Sequence, residues 1–388
     1  MGVAPGVVTE NRGPRLIDIV QHTDERILSQ VKDYLATALE SWGAAPEHDP
    51  RWLEVLRNGL GHQTFMLIAR DGHAQASVES SPAKVGVSPA GVGKICGYLP
   101  LALVSSRLFG RFLVSLPYVN RAGVVARDRS VASELVGCAI ALAQTHKVNY
   151  LELRSHGPLD PSSKLHPSLG VSRSNKVRMV LPLPDTDQDL WNIVSAKVRN
   201  QVRKGQKNQL QIRWGGLELL DAFYEVFSVN MRDLGTPVYP KGLFASILEQ
   251  FEGQAELSVV DLGDRVAAAA LLVHAQGVTQ VPSASSLRCF HHANPNMWMY
   301  HQLLLRAVDR GSRAFDFGRS SEGSGTYRFK KQWGAQPHPT LWQYHVLRGR
   351  VDQMRPDSPH NRWRVSTWKK LPVWLTRRIG PVIVRGIP

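Results

Sequence analysis

Apolar and polar positions follow one another along the chain in two successive runs of helices and strands. In the first run, the spacing predicts helices at 27–42, 49–60 and 130–147, and strands at 64–70, 95–104, 112–116, 148–154 and 177–184. In the second run, it predicts helices at 187–207, 217–234, 294–311 and 324–334, and strands at 256–262, 265–276, 277–282, 313–318 and 338–347. The repeated order predicts two α+β domains of similar build.

Changes in composition indicate where these domains begin and end. Residues 1–13 have the character of a disordered start, and the Ser-, Pro- and Gly-rich stretch 77–93 is typical of a loop. After the last predicted strand the chain becomes basic and rich in tryptophan. We therefore predict one domain at 14–185, a second at 186–350, and a basic aromatic tail at 351–388.

The composition is that of a globular protein without a covalent scaffold. Of its 388 residues, 43% are apolar and 20% are charged, which is enough to bury two cores. Cys96, Cys138 and Cys289 are too far apart for a disulfide framework or a multi-Cys zinc module, and they fit a reducing cytosol. The first residues lack the pattern of a signal peptide, and the longest apolar run, 266–275, is too short to span a bilayer. We expect a cytoplasmic protein.

The net charge of +15 is concentrated in two segments. Residues 196–213 carry six Lys or Arg and no acid, and the tail carries eight Lys or Arg against two Asp. In the predicted helix 187–207, Leu190, Val194, Val198 and Val202 form an apolar face opposite Arg203, Lys204 and Lys207. The alternative is an ordinary solvated basic face, but no acid at i±4 relieves the repulsion. We favour a surface that binds an anion, either a phosphate or a nucleic-acid backbone.

Common catalytic motifs are absent from the sequence. It contains no HExxH, GxxxxGK[ST], GxSxG or CxxC. His291 and His292 are adjacent and should point apart, so we predict no metal site. The most informative segment is 315–334, where a strand is followed by a glycine-rich turn and a helix. Arg319, Ser320 and the backbone amides of that turn are suited to a phosphate or an oxyanion, although an ordinary glycine-rich turn is the alternative.

Several segments together resemble one known family. The run FDFGRS…GSGTYRFKKQWG at 315–334 resembles the FemAB-like group of the GNAT acyltransferase superfamily, in particular a branch found beside exopolysaccharide and exosortase loci. PYVNRAGVVA at 117–126, NYLELRS at 149–155 and KVRNQVRKGQK at 197–207 support the same resemblance. It implies two tandem GNAT-like domains around a shared cleft, each a mixed, largely antiparallel sheet flanked by helices.

The resemblance also implies an activity. Characterised members of the group transfer an amino acid from aminoacyl-tRNA to an amine of a peptidoglycan precursor, and relatives use acyl thioesters of coenzyme A. We therefore expect an N-acyltransferase acting on a cell-envelope or exopolysaccharide precursor, with the donor open and no tightly bound cofactor. The Arg319–Gly325 loop is one residue longer than the usual loop for coenzyme A pyrophosphate. The alternatives are a coenzyme-A-dependent enzyme for a small-molecule amine and a non-catalytic nucleic-acid binder.

The same resemblance assigns roles to several residues. It places Lys330 at the cleft, where its charge would stabilise the reacting carbonyl or a substrate phosphate, with Phe329 beside it. It also matches the basic helix carrying Arg203, Lys204 and Lys207 to a similar helix of the family. This chain departs from the family pattern in its long 77–93 loop and in the lack of an acid at 285–294, which leaves the general base unassigned.

Direct attack by an amine needs positioning and electrostatic stabilisation rather than a nucleophilic side chain. Asp316, near a strand end, is a candidate proton acceptor, with a structural carboxylate as the alternative. We place Tyr327 with Lys330 as a candidate catalytic group. Tyr300 and Asn120 are candidate substrate contacts, for which core packing and a turn position are the alternatives.

The tail mixes tryptophans with basic residues. On a helix at 359–371, Trp363, Trp368 and Leu371 would lie on one side and Arg362, Lys369 and Lys370 on another. Such a helix either lies on an anionic membrane at the cytoplasmic face or docks on the protein through its tryptophans.

Overall fold

The computed structural model describes residues 16–21, 24–41, 44–71, 93–156, 165–173, 176–351 and 359–388. The predicted disordered start lies outside these residues, as does nearly all of the predicted 77–93 loop. Side chains of the tail are described from Trp363 onward, so the predicted position of Arg362 is not among them.

The first half of the chain forms a sheet covered by helices. Its elements, including the short 3₁₀ turn Pro46–His48, are β1 (Leu16–Val20), α1 (Glu25–Ser41), α2 (Arg51–Leu60), β2 (Gln63–Asp71), β3 (Lys94–Ser106), β4 (Gly110–Val114), β5 (Val125–Ala126), α3 (Arg129–Thr145), β6 (Tyr150–His156) and β7 (Val171–Arg173). All strands predicted from the apolar pattern in this half are present, and β1, β5 and β7 are additional ones.

The second half repeats this plan. Its elements are β8 (Val177–Pro182), α4 (Asp187–Ile193), α5 (Ala196–Lys207), β9 (Gln211–Gly215), α6 (Leu220–Leu234), α7 (Lys241–Gln250), β10 (Ala255–Leu262), β11 (Arg265–Ala275), β12 (Val278–Ser286), α8 (Pro295–Asp309), β13 (Ala314–Ser320), α9 (Gly325–Gln332) and β14 (Gln336–Val346). The tail then forms α10 (Pro359–Trp368) and α11 (Val373–Val384). The pattern did not predict β9, α7 or α11.

One strand joins the two halves into a continuous sheet. Among the described residues the strand order is β1-β2-β3-β4-β6-β14-β8-β13-β12-β11-β10-β9, with β5 beside β3 and β7 beside β14. The first four residues of β14 pair with β8, and the rest of the strand pairs with β6. Most neighbours are antiparallel, and β4–β6 and β12–β13 are parallel. The expected α+β class with mixed, largely antiparallel sheets is confirmed.

The division into domains stays a prediction. Strand β8 precedes the predicted boundary at 185 but pairs with β13 and β14 of the second half. Strand β14 lies in the predicted second domain, yet most of it pairs with β6 of the first. A hydrophobic cluster also spans both halves, since Trp52 and Leu56 of α2 share it with Leu243 and Phe244 of α7.

The predicted helix 187–207 is wrong in one respect, because it breaks into α4 and α5. Val194 is extended, and the Ser195 side chain caps α5 by accepting a hydrogen bond from the backbone amide of Val198. The apolar face survives the break, since Leu190, Val194, Val198 and Val202 are all buried. At Gly205, α5 approaches α8 so closely that a Cβ there would lie 2.6 Å from Cβ of Trp298.

Candidate active site

Strands β12 and β13 are parallel neighbours that separate near the middle of the sheet. They pair only from Val278 to Gln280, and residues of both strands beyond that point line one cavity. In the first half, the chain after β4 stays bonded to β6, because the Ser115 amide donates to the Glu152 carbonyl and the Ala122 amide donates to the Arg154 carbonyl. The turn 117–120 between these two hydrogen bonds reaches the same cavity, so both halves of the chain contribute to the site.

A cavity of about 410 Å³ lies between the halves. Its apolar wall comes from α2, α6 and α7 and includes Trp52, Leu56, Phe227, Leu243, Phe244 and Ile247. Its polar wall comes from β12 and β13, from α6 and α9, and from two turns of the first half. It consists of Glu47, Asn120, Asn230, Gln280, Ser283, Ser285, Asp316, Arg319 and Lys330, with Tyr118 and Tyr239 beside them. The cavity is thus apolar on one side and charged on the other.

The cavity brings together Asn120, Asp316, Arg319 and Lys330, four of the residues predicted from sequence. Asn120 belongs to the first half and the other three to the second. Asn120 lies beside Gly318, where a Cβ would meet its side chain at an ordinary contact distance of 3.6 Å, and it is the φ of +75° that favours glycine at this position. This left-handed residue also coincides with a break in the β8–β13 register between Asp316 and Arg319.

Asp316 is a buried carboxylate with two partners. The backbone amide of Gly318 donates a hydrogen bond to Oδ1 over 2.8 Å, and Arg178 Nη1 donates to Oδ2 over 3.4 Å. Both the structural role and the chemical role considered for this residue are compatible with that arrangement.

Lys330 lies on α9 with its ammonium beneath the end of β13. Its Nζ donates to the carbonyls of Gly318 and Arg319 over 3.2 and 2.9 Å. Burial lowers the pKa of the lysine to about 8; Asp316 opposes this effect and Arg319 adds to it. An ammonium has three N–H donors, so two backbone carbonyls leave one for another group.

Arg319 is held by an aromatic ring that belongs to β14. Its guanidinium lies 4.6 Å from the centre of the Trp342 ring, and the Arg154 guanidinium of β6 lies 4.3 Å from the same ring. Burial, together with the charge of Arg154, lowers the pKa of Arg319 to about 10. Trp342 therefore ties one arginine from each half to the joining strand.

Four predicted site residues are not placed on the cavity wall. Tyr300 and Phe329 pack edge to face at 4.9 Å in the core, and Tyr300 also stacks on Phe317 at 5.6 Å. Tyr327 packs at the margin of the same core. Ser320 is buried, with an Oγ that has no hydrogen-bond partner within the described part of the chain. Their roles as catalytic or binding residues stay predictions.

The basic helix is exposed and separate from the cavity wall. Arg203, Lys204 and Lys207 of α5 all point to solvent, and Arg203 lies 5.4 Å from the centre of the Trp191 ring. His291 and His292 are exposed as well. Over the described ranges, no group of three or more His, Cys, Asp or Glu could hold a metal ion, and no helix is long and apolar enough to cross a membrane.

The sequence analysis missed one residue of the charged wall, Glu47. It lies in the 3₁₀ turn before α2, and the next residue anchors that turn: the backbone amide of Ala45 donates to His48 Nδ1 over 3.0 Å, and His48 Nε2 lies 3.2 Å from the Gly123 carbonyl. Nothing in the local sequence distinguishes Glu47 from a surface glutamate. Only the folded structure shows that Glu47 lines the same cavity as Asp316.

Comparison with known proteins agrees with this architecture. Residues 194–331 match the acetyltransferase (GNAT) domain family. No curated protein matches the sequence. Among solved structures, FemX is similar with a TM-score of 0.57 and 15% identity over 85% of this chain and 97% of FemX. A tandem GNAT protein from the clavulanic acid biosynthesis pathway is similar with a TM-score of 0.51 and 14% identity, over 87% of this chain and all of that one.

A conserved protein of unknown function from Bacteroides thetaiotaomicron has the same fold, with a TM-score of 0.51 and 10% identity over 85% of this chain and all of its own. These likenesses extend over both halves, whereas the family match covers the segment that contributes Asp316, Arg319 and Lys330. The resemblance expected from the sequence is confirmed. The chain therefore contains a match to the GNAT acetyltransferase domain at 194–331, and its two halves together have the fold of FemX and of a tandem GNAT protein.

Proposed function

We propose that the protein transfers an acyl or aminoacyl group to an amine in the cavity between its two halves. The observation that carries this proposal is the meeting of Lys330, Arg319 and Asp316 on one wall of that cavity. Amide formation by direct attack needs a cation near the carbonyl oxygen and a carboxylate near the amine, and it needs no nucleophilic side chain.

In this mechanism Lys330 stabilises the oxyanion. Two of its N–H groups are fixed by the carbonyls of Gly318 and Arg319, so the third is held in a defined direction. Arg319 adds a second positive charge at the same wall. A preformed donor in a cavity with little water is worth far more than the same donor in bulk solvent.

Two carboxylates, Asp316 and Glu47, supply the negative end of the site. Both lie on the polar wall, and either attracts an acceptor that enters as an ammonium ion. The apolar wall formed by α2, α6 and α7 would contact the carbon skeleton of a substrate. We expect the acceptor to be an amine on a cell-envelope or exopolysaccharide precursor.

The donor is aminoacyl-tRNA or an acyl thioester of coenzyme A, and both are anions. The exposed lysines and arginine of α5 provide a surface that attracts either one. The match to a GNAT acetyltransferase domain favours the thioester, and the fold shared with FemX is the reason to keep the tRNA ester. The same family match argues against a non-catalytic nucleic-acid binder.

A titration against both donors tests this proposal. Purified protein is mixed with acetyl-coenzyme A and with bulk aminoacylated tRNA, at low and at physiological salt, and each donor is followed by a transfer assay with n-butylamine and with a lysine-containing peptidoglycan precursor. Saturable coenzyme A binding that persists in salt supports the thioester. Preference for charged over deacylated tRNA supports the aminoacyl donor. Binding of tRNA that falls steeply with salt, without transfer from either donor, would contradict the proposal.

The C-terminal tail is relevant to where in the cell the protein binds its acceptor substrate. Helix α11 docks on the protein: Arg377 Nε donates to Ser228 Oγ over 2.7 Å, and the Tyr118 hydroxyl donates to the Val384 carbonyl over 3.0 Å. Of the tail tryptophans, Trp368 is half-buried, whereas Trp363 and Trp374 are 60% and 67% exposed and do not dock on the protein. We propose that these tryptophans, with the exposed Lys369, Lys370 and Arg378, contact an anionic membrane at its cytoplasmic face.

Vesicle sedimentation tests the membrane contact. The wild type should sediment with phosphatidylglycerol vesicles more than with phosphatidylcholine vesicles, and the double variant W363A/W374A should lose most of that binding. Equal sedimentation of the wild type and the variant would remove the tail from the interaction.

A further inference from the structure

Glu47 is a buried carboxyl group whose hydrogen-bonding capacity is unused. Its side chain is 2% exposed and lines the cavity. Within the described residues, neither of its carboxylate oxygens has a hydrogen-bond partner. The nearest cationic atom is Arg121 Nε, at 3.9 Å from Oε2, which is an ion pair but too long for a hydrogen bond.

A buried carboxylate without hydrogen bonds is unfavourable by several kcal/mol, so such groups are rare unless they take up a proton or bind a ligand. The charged groups around Glu47 are Arg121, Asp316 and Arg178. Burial raises the pKa of Glu47 most; Arg121 lowers it, Asp316 raises it, and Arg178 and then the backbone amide of Glu47 itself lower it. His338, whose pKa is lowered by burial, lies in the field of the same arginines and Asp316.

Asp316 is less suited to exchange a proton during the reaction. Its two oxygens already accept from the Gly318 amide and from Arg178. Protonating it would break an interaction that holds the turn of β13. Glu47 has no hydrogen bond of this kind to lose, and the anchoring of His48 fixes the turn that carries it.

We propose that Glu47 is the catalytic proton acceptor of the site and that it receives the ammonium group of the acceptor substrate. This inference rests on the proposed function and assigns the base that sequence analysis could not find. The reaction then needs both halves of the chain. The first half supplies Glu47, and the second half supplies Lys330, Arg319 and Asp316.

When the acceptor is an ammonium ion, R–NH₃⁺, Glu47 takes one proton and leaves the neutral amine. The lone pair of this amine forms the new C–N bond. The carbonyl electron pair moves to oxygen beside Lys330, and collapse breaks the C–O bond of a tRNA ester or the C–S bond of a thioester. The second proton leaves nitrogen for the departing oxygen or sulfur, and Glu47 returns its proton to solvent.

The pH dependence of transfer by Glu47→Gln tests this assignment. Transfer to n-butylamine is first measured with the wild type and whichever donor it accepts. With Glu47→Gln we expect a loss of at least about 100-fold near neutral pH. Below about pH 8, where Lys330 keeps its charge, the remaining rate should rise about tenfold per pH unit, because only the already neutral amine can react. Donor binding should stay within twofold of the wild type.

Glu54→Gln is the matched control, since Glu54 lies on nearby α2, forms an ion pair with Arg57 and is not on the cavity wall. It should transfer like the wild type. If Glu47→Gln does not fold, Glu47→Asp keeps an acid one methylene shorter, and it should lose rate while keeping the wild-type form of the pH profile. Folding of each variant is checked by its thermal transition.

An infrared titration gives a readout apart from catalysis. At mildly acidic pH, where ordinary glutamates are already ionised, the wild type should keep a protonated carboxyl band that disappears toward neutral pH, and Glu47→Gln should lack that band. A wild type that transfers to no amine would contradict the proposed function. A wild type that transfers while Glu47→Gln has the same rate and pH profile would overturn only the role of Glu47, as would an unchanged infrared band.

Discussion

Two buried glutamates in this molecule have opposite surroundings. Glu256, at the start of β10, is 6% exposed and accepts hydrogen bonds from His274 and Arg306, with Arg310 at 3.3 Å. Burial raises its pKa, but these hydrogen bonds and charges outweigh that effect and lower it to about 2. Glu47 is buried to a similar extent, and the same burial raises its pKa.

The difference shows how a structural carboxylate is distinguished from a reactive one. Three basic side chains surround Glu256, so its charge is stable and it gains nothing from a ligand. Glu47 has one arginine, Arg121, within ion-pair distance but too far for a hydrogen bond. Both glutamates line a cavity, so access to a cavity does not distinguish them. Burial alone therefore says little about function, and the supply of hydrogen-bond donors decides the outcome.

The largest effect we expect at the cavity is from Lys330→Ala. Removing the ammonium should lower the transfer rate by about 10²–10³-fold, because one preorganised oxyanion donor is lost. Lys331→Ala is the matched control, since this neighbouring lysine is exposed and is not on the cavity wall. Single-turnover transfer measures both variants. A rate like that of the wild type in Lys330→Ala would remove this lysine from the reaction.

Glu256→Gln should lower the stability of the protein and leave its transfer rate unchanged. We expect a loss of about 2 kcal/mol of unfolding free energy, since Arg306 and Arg310 lose their shared partner while keeping some access to solvent. Transfer per folded molecule should not change, because Glu256 lies outside the cavity wall. Urea unfolding and an active-site-normalised rate measure the two effects. Lost transfer in a fully folded Glu256→Gln sample would contradict the distinction between the two glutamates.

The stability of the folded protein should also depend on Glu256 at acid pH. The folded pKa of Glu256, about 2, lies below its ordinary value of 4.5, so its contribution to stability is present above pH 4.5 and is lost as the pH falls toward 2. In Glu256→Gln this part of the loss of stability at low pH should be missing. Thermal unfolding across that pH range checks the expectation, and an identical decline in both proteins would refute it.

Lys330 should make the stability of the protein depend on pH in the alkaline range, because burial disfavours its charged form. Its folded pKa of about 8 lies below the ordinary 10.5, so the folded protein binds fewer protons than the unfolded chain between these values. Stability should therefore rise from pH 8 toward pH 10.5, while transfer falls as the ammonium is lost. Lys330→Met should flatten the rise in stability, which unfolding measurements can detect.

The smallest effect concerns the exposed charges of α5. Arg203→Glu with Lys207→Glu should weaken binding of the anionic donor and reduce its salt dependence, with little change in the rate at saturating donor. Exposed charges act through a screened field, whereas the buried charges of the cavity act at contact. Arg107→Glu with Lys32→Glu, on other exposed positions, controls for the change in net charge. Equal weakening by both pairs would show that α5 has no special role.

Much of the fold was predictable because it follows local periodicity. The alternating strands of both halves, the buried row Leu190, Val194, Val198 and Val202, and the turn and helix that carry Arg319 and Lys330 were all visible in the sequence. Helix α7 was not, because Pro240 and Gly242 weaken its start. It is held by tertiary packing on α2, where Gly59 lets the two helices approach closely.

The α+β class, the two runs of helices and strands, the basic segments and the second-half residues of the candidate site could all be predicted from local sequence. That β14 joins both halves, and that Glu47 meets Asp316 in one cavity, follows from long-range packing and could not be predicted in this way. Hydrophobic periodicity reports which side of an element is buried, but it does not report which elements become neighbours. The charge state of a glutamate depends on those neighbours, so it cannot be assigned before the fold is known.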